Sequence, residues 1–281
     1  MGKFLFSIFI LLTWGNNAMS QASIASTIPV AAPMNSDSAG QIGVVAVRSV
    51  VRVVCPQQNS AGTAFLHKSG RLLTAEHVVR GCSEPILILA NAATIKATIV
   101  ATDADSDLAI LNPESPITAS ALTISKLSDF VIGAQVTTWG FPNGYANLIP
   151  MLSVGYLAGS QQLKTESGKF VLRYVVNAAF NAGNSGGPLV HVETGEVMGI
   201  VSSKLAPISE TAMSALQSLQ VQNSGFIYSA TKPDGSTFQI SEGQIVATVL
   251  DELRKQVQLV IGMATPNQDI RTFLTKNGID P

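Results

Sequence analysis

The sequence predicts an all-β protein with a few helices gathered late in the chain. Three observations lead there. From Ile42 onward, short runs rich in β-branched and aromatic residues recur. Gly, Asn and Pro turn signals separate them, the texture of a β-barrel or a sandwich. Only from Glu210 onward do apolar residues take up helical spacing. No internal sequence repeat is evident.

The first strand candidates are VVAVRSVVRVVC (44–55) and TAFLH (63–67). KSG (68–70) reads as a turn, and RLLTAEHVV follows it into a short helical turn at AEHVV. ILILA (86–90), TIKATIVATD (94–103), DLAILN (107–112), AQVTTWGFP (134–142), FVLRYVV (170–176) and EVMGIVS (196–202) continue the strand pattern. ETAMSALQSLQVQ (210–222) has near-helical spacing. SEGQIVATVLDELRKQV (241–257) is a stronger helix: Ser241 and Gln244 form an S-x-x-Q capping box. Ile245, Val249 and Leu253, with Val246 and Leu250, make its apolar face. VQLVIGMA (257–264) reads as a last strand. DIRTFLTKNG (269–278) then reads as a helix, with Pro266 ahead and Gly278 as its stop.

The N-terminus has the layout of a secretory signal peptide over residues 1–20. Lys3 precedes an apolar run from Phe4 to Trp14, and Ala18-Met19-Ser20 offers a small-x-small cleavage site after Ser20. The apolar run is short for a bilayer span, so no stable membrane insertion is expected after cleavage. Residues 21–41, rich in Ala, Ser and Pro, read as a flexible arm. The mature chain is thus expected to be exported, to the periplasm or beyond. In such a compartment Cys55 and Cys82 have one possible pairing, closing a loop around His77. A formal charge of −1, with 12% charged residues, argues against nucleic acid as a partner. His67, His77 and His191 are scattered and no CxxC occurs, so no metal site is expected.

The stretch NAGNSGGPLV (181–190) crowds three glycines and a proline around Ser185. A serine nucleophile needs a base, an acid to orient the base, and N–H groups aimed at the developing oxyanion. His77 in TAEHVV is the base candidate, because it alone among the histidines sits between a strand and a helical turn. His67 is expected at the surface and His191 in a strand. Asp107 is the acid candidate, because it immediately precedes the apolar run Leu108–Leu111. Asp103 and Asp105 are expected to shape a solvated turn. Gly183 can take a conformation that aims its N–H inward, so Gly183 and Ser185 are the oxyanion-hole candidates.

TAEHVV, DLAIL and GNSGGPL, in this order, resemble the His, Asp and Ser motifs of chymotrypsin-fold serine peptidases. The order separates that clan from subtilisins and α/β-hydrolases. His77 and Asp107 are 30 residues apart, and Asp107 and Ser185 are 78 apart. These intervals, and Asn184 before the serine, are similar to the bacterial HtrA/Deg-related type. The resemblance covers roughly residues 42–204. It implies two six-stranded Greek-key β-barrels, over 42–125 and 126–265, with a helical insertion at 206–256 and a C-terminal helix at 266–281. Nothing after residue 205 resembles a PDZ module.

The resemblance implies a serine endopeptidase acting on proteins or peptides, with no metal or organic cofactor. It places Ala179 at the base of the specificity pocket and Ile200, Val201, Ser202, Ser203 and Lys204 along the substrate-binding strand. With no carboxylate at Ala179, cleavage after small or medium aliphatic residues is expected. Glu76 stands where this family more often has a small residue, and is expected to bear on the charge of His77. Asn184 implies that no N-terminal cleavage is needed to form the loop. The other readings are a catalytically silent domain used for binding or assembly, and an esterase on the same fold.

Overall fold

The computed structural model describes residues 45, 47–128, 130–204, 210–231, 234–256 and 261–281. The signal segment 1–20, the arm 21–41 and the start of the expected strand 257–264 lie outside the described residues.

Six antiparallel strands close the first barrel: β1 (Val50–Cys55), β2 (Ser60–Leu66), β3 (Leu72–Thr74), β4 (Ile86–Ile88), β5 (Thr94–Asp103) and β6 (Leu108–Pro113), in the order β1-β2-β3-β6-β5-β4. The ring is completed by β1 pairing with β4, as Val53 lies opposite Leu87. The second barrel holds β7 (Gln135–Gly140), β8 (Met151–Lys164), β9 (Phe170–Asn177), β10 (Pro188–His191), β11 (Val197–Lys204) and β14 (Gly262–Pro266), in the order β10-β11-β14-β9-β8-β7. Closure leaves neither barrel with a free edge. The all-β expectation and the two six-stranded barrels are both observed.

Alternation sends one face of each strand inward. Val51, Val53, Leu72, Leu87 and Leu111 fill the first barrel, and Val136, Leu157, Val176, Leu189 and Met198 the second. A third cluster, including Phe65, Leu73, Leu108, Ile110 and Ile200, lies between the barrels. The helix α4 (Asn267–Lys276) is sealed onto it by Ile270, Phe273 and Leu274. Gly278, at φ 68°, ends that helix, and the Ile279 N–H bonds back to the Leu274 carbonyl. The site is therefore carried on two rigid barrels whose mutual contact is itself a packed core.

Several details differ from the expected elements. Val45 and residues 47–49 are helical, so the first strand begins only at Val50; the Ser49 hydroxyl bonds back to the Val45 carbonyl at 2.8 Å. Strand β8 was not expected, because its inward positions are Ser153, Gly155 and Leu157 while Leu152, Val154 and Tyr156 point outward. The segment after β11 is not purely helical. Helices α2 (Glu210–Val221) and α3 (Glu242–Gln256) flank a hairpin of β12 (Ile227–Thr231) and β13 (Thr237–Ser241). Both arms of the Ser241–Gln244 capping box form, at 3.0 and 3.3 Å. The predicted apolar face of α3 is exposed, Leu253 by 54%. His67, expected at the surface, is only 1% exposed and bonds Ser69, because the His67–Leu122 bridge covers it.

Candidate active site

His77 is carried by α1 (Glu76–Val79), one turn that starts where β3 ends. Val78 and Val79 bury themselves on the first barrel and anchor that turn. The disulfide Cys55–Cys82, spanning 27 residues, ties the end of β1 to the chain just past it.

Asp107 closes the tight connection between β5 and β6. Its φ of 56° is left-handed, which is sparsely populated for a residue with a Cβ. In this pose Asp107 is 9% exposed, and its carboxylate accepts three bonds from two residues. The His77 N–H reaches Oδ1 at 3.0 Å, His77 Nδ1 lies 2.9 Å from Oδ2, and the Ser202 hydroxyl reaches Oδ2 at 2.5 Å. Burial pushes the Asp107 carboxyl up, but His77 and Ser202 together hold it below the usual carboxylate value. An ionised carboxylate on Nδ1 fixes the imidazole ring and leaves Nε2 as the basic nitrogen.

Ser185 sits on the loop ahead of β10, in the second barrel. Gly183, at φ 99°, turns this loop; a Cβ there would lie 2.3 Å from the Phe141 carbonyl oxygen. Gly186, at φ 86°, presses against the first barrel, where a Cβ would come within 2.1 Å of the Thr63 carbonyl oxygen. Thr63 stitches the loop down. Its N–H donates to the Ser185 carbonyl at 2.8 Å and its hydroxyl to the Gly183 carbonyl at 2.7 Å. With those carbonyls tied back, the N–H groups of Gly183 and Ser185 have no acceptor among the described residues. The Ser185 hydroxyl donates to the Ser202 carbonyl at 3.0 Å, and no hydrogen bond joins it to His77 among the described residues.

The remaining predicted residues take varied places. Asp103 shapes the turn as expected, accepting the N–H groups of Asp105 and Ser106 at 3.0 and 3.1 Å. Asp105 instead reaches out to Lys169 at 2.9 Å and to Ser167, which lowers its carboxyl to about 2. Ala179 offers its carbonyl to Ser153 and to buried Asn184, each at 3.3 Å. Ile200 and Val201 are wholly buried in the core, so their side chains do not line an open surface. Ser202 spends its hydroxyl on Asp107. The side chains of Ser203 and Lys204 lie outside the described residues. Glu76 is buried beside His77, and its carboxylate is forked by Arg80, at 2.6 to 3.1 Å. Among the described residues, no group of three or more His, Cys, Asp or Glu is arranged to hold a metal.

Thr63 escaped the sequence reading as a site residue, and Ser202, placed there on the substrate-binding strand, has its hydroxyl on Asp107. Thr63 contacts Gly183 across 120 residues, and Ser202 contacts Asp107 across 95. No local pattern announces either.

The trypsin-like peptidase domain family matches residues 62–200, about half of the chain. Among curated proteins, the chain is 28% identical over 200 residues to "Serine protease Do-like HtrA" of Lactobacillus helveticus, covering 70% of this chain and 43% of that protein. It is 35% identical over 149 residues to "Probable periplasmic serine endoprotease DegP-like" of Hahella chejuensis, covering 52% and 30%. The chain thus spans less than half the length of these relatives. Among solved structures, the active form of the Rv3671c protease from M. tuberculosis superposes with a TM-score of 0.59 at 19% identity, covering 97% of this chain and 96% of that one. At that identity the likeness speaks for the fold alone. The chain belongs to the trypsin-like peptidases, with its peptidase domain matched over residues 62–200.

Proposed function

We propose that this chain is an exported serine endopeptidase in which His77, Asp107 and Ser185 form the triad and the Gly183 and Ser185 N–H groups form the oxyanion hole. One observation carries the reading: the Asp107 carboxylate holds His77 by both Nδ1 and the backbone N–H, across the barrel interface from Ser185. His77 Nε2 takes the Ser185 hydroxyl proton as Oγ attacks a peptide carbonyl. The oxyanion settles on the two free N–H groups. His77 then passes the proton to the leaving amine, and water releases the acyl group by the reverse sequence. The barrels are proposed to span 42–125 and 126–265, with the insertion at 206–256. Export is supported by the signal-like N-terminus and by the periplasmic designation of the Hahella relative. No helix among the described residues is long and apolar enough to cross a membrane.

Small or medium aliphatic residues are the proposed preference before the scissile bond, since Ala179 brings no charge to the pocket. A peptide-library profile dominated by Arg or Lys at that position would overturn it. The Ser185 hydroxyl bonded to the Ser202 carbonyl favours a second reading, a silent domain used for binding. One experiment separates the two. The wild type should hydrolyse casein and take a fluorophosphonate label at residue 185, and Ser185→Ala should do neither. A wild type that is inert to both supports the silent domain; a Ser185→Ala protein with normal casein turnover refutes the triad.

A further inference from the structure

Arg173, on β9, is the one lysine or arginine buried among the described residues, at 5% exposure. A buried cation calls for a reason. Its Nη1 donates to the Leu172 carbonyl at 3.0 Å. Its Nη2 crosses to the first barrel and donates to the Asp105 carbonyl at 2.9 Å. No carboxylate lies within ion-pair distance of it among the described residues. Burial acts against its charge, while Asp107, Asp269 and Asp103 act at longer range to keep it.

The next carbonyl along the turn is gripped from the same side. Thr265, fully buried on β14, donates its hydroxyl to the Ser106 carbonyl at 2.7 Å. The carbonyls of residues 105 and 106, immediately ahead of Asp107, are thus both held by the second barrel. Orienting those two peptide planes sets the left-handed φ of Asp107, a conformation that persists only where its surroundings impose it.

We propose that Arg173 is a positioning residue for the reaction. With Thr265 it clamps the turn ahead of Asp107 and so aims the carboxylate at His77, which lies on a different barrel from the clamp. It acts through Asp107 and touches no substrate. The proposal rests on the serine-peptidase reading above.

The test measures kcat and KM for Arg173→Gln and Arg173→Lys in the full chain, normalised to the folded fraction from thermal melts. It also follows the low-field proton resonance of His77 Nδ1–H. Misaligning a catalytic group by a fraction of an ångström costs about tenfold to a hundredfold in turnover. Arg173→Gln should therefore lower kcat by that factor, leave KM within about twofold, and shift or broaden the resonance. Arg173→Lys, which keeps the charge but loses the planar fork, should recover part of the loss. An arginine that serves only stability would reduce the folded fraction and leave turnover per folded molecule unchanged; that result overturns the proposal. If Arg173→Gln does not fold, Thr265→Val decides, by the same fall in kcat or its absence. If the wild type hydrolyses nothing, the peptidase reading fails instead, and the resonance still reports whether the clamp holds His77 and Asp107 together.

Discussion

Breaking the Cys55–Cys82 disulfide should destabilise the fold without slowing the folded enzyme. The bond closes a loop of 27 residues that contains His77. In the unfolded chain, forbidding that loop to open removes entropy worth about 3.5 kcal/mol at 25 °C. Within the native state the cross-link has little left to do for the site. Helix α1 is held independently by buried Val78 and Val79 and by the bond from the His77 N–H to Asp107. The clean comparison is oxidised against reduced wild type, because both sulfurs are buried and reduction leaves the core filled. At a urea slope of about 2–3 kcal/mol per molar, the unfolding midpoint should fall by roughly 1–2 M. Turnover per folded molecule should stay within about twofold, since no catalytic contact is removed. A midpoint that moves by less than about 0.3 M would refute the loop-entropy account. A fall in kcat below the unfolding transition would show instead that the disulfide positions His77.

Two further outcomes are expected. Gly183→Ala places a methyl against the Phe141 carbonyl at a φ that alanine resists, so the peptide must turn and one oxyanion donor is lost. The expected fall in kcat is about a hundredfold to a thousandfold, and steady-state kinetics within about threefold of wild type would exclude Gly183 from the hole. Ser202→Ala removes one bond from the Asp107 carboxylate and should cost about 1–3 kcal/mol at pH 7. The sign with pH follows from linkage. The native carboxyl lies below its unfolded value of about 3.9, so its contribution is complete above that pH and is lost as pH falls through the native value. The penalty of Ser202→Ala should accordingly shrink in denaturation curves taken below about pH 4. A penalty independent of pH would mean that the bond does not act on the ionised form.

Much of the barrel pattern was legible because its strands obey one rule, apolar side chains on the face that turns inward. Strand β5 was legible to its ends, Thr94 to Asp103. Strand β8 breaks the rule. Its outward positions carry Leu152, Val154 and Tyr156, and its inward ones include Ser153 and Gly155. Gly155 has no room for a side chain, since a Cβ would meet the Asn177 carbonyl oxygen at 2.3 Å. Tight packing against a neighbouring strand thus demanded small residues where a pattern search looks for large ones. The hairpin β12–β13 was hidden for a related reason: most of its residues are exposed, so no burial period marks it.

At the site, legibility followed sequence distance. His77, Asp107 and Ser185 each stand in a local frame, a strand end, a turn or a glycine loop, that can be recognised from a few neighbours. The residues that hold these frames together are far away along the chain and chemically ordinary. Ser202 shows why. On β11 the register with β14 slips between Val201 and Ser203. A bulge of this kind re-aims the side chain beside it. Ile200 and Val201, on opposite faces of the strand, both point into core, one between the barrels and one inside the second. Ser202 is left with its hydroxyl on Asp107 and its carbonyl on Ser185. GIVSS read as sequence gives no sign of the slip. A single serine beside a backbone irregularity thus contacts both Asp107 and Ser185. In the proposed triad, the Ser202 carbonyl is the acceptor that Ser185 must leave before it can donate to His77.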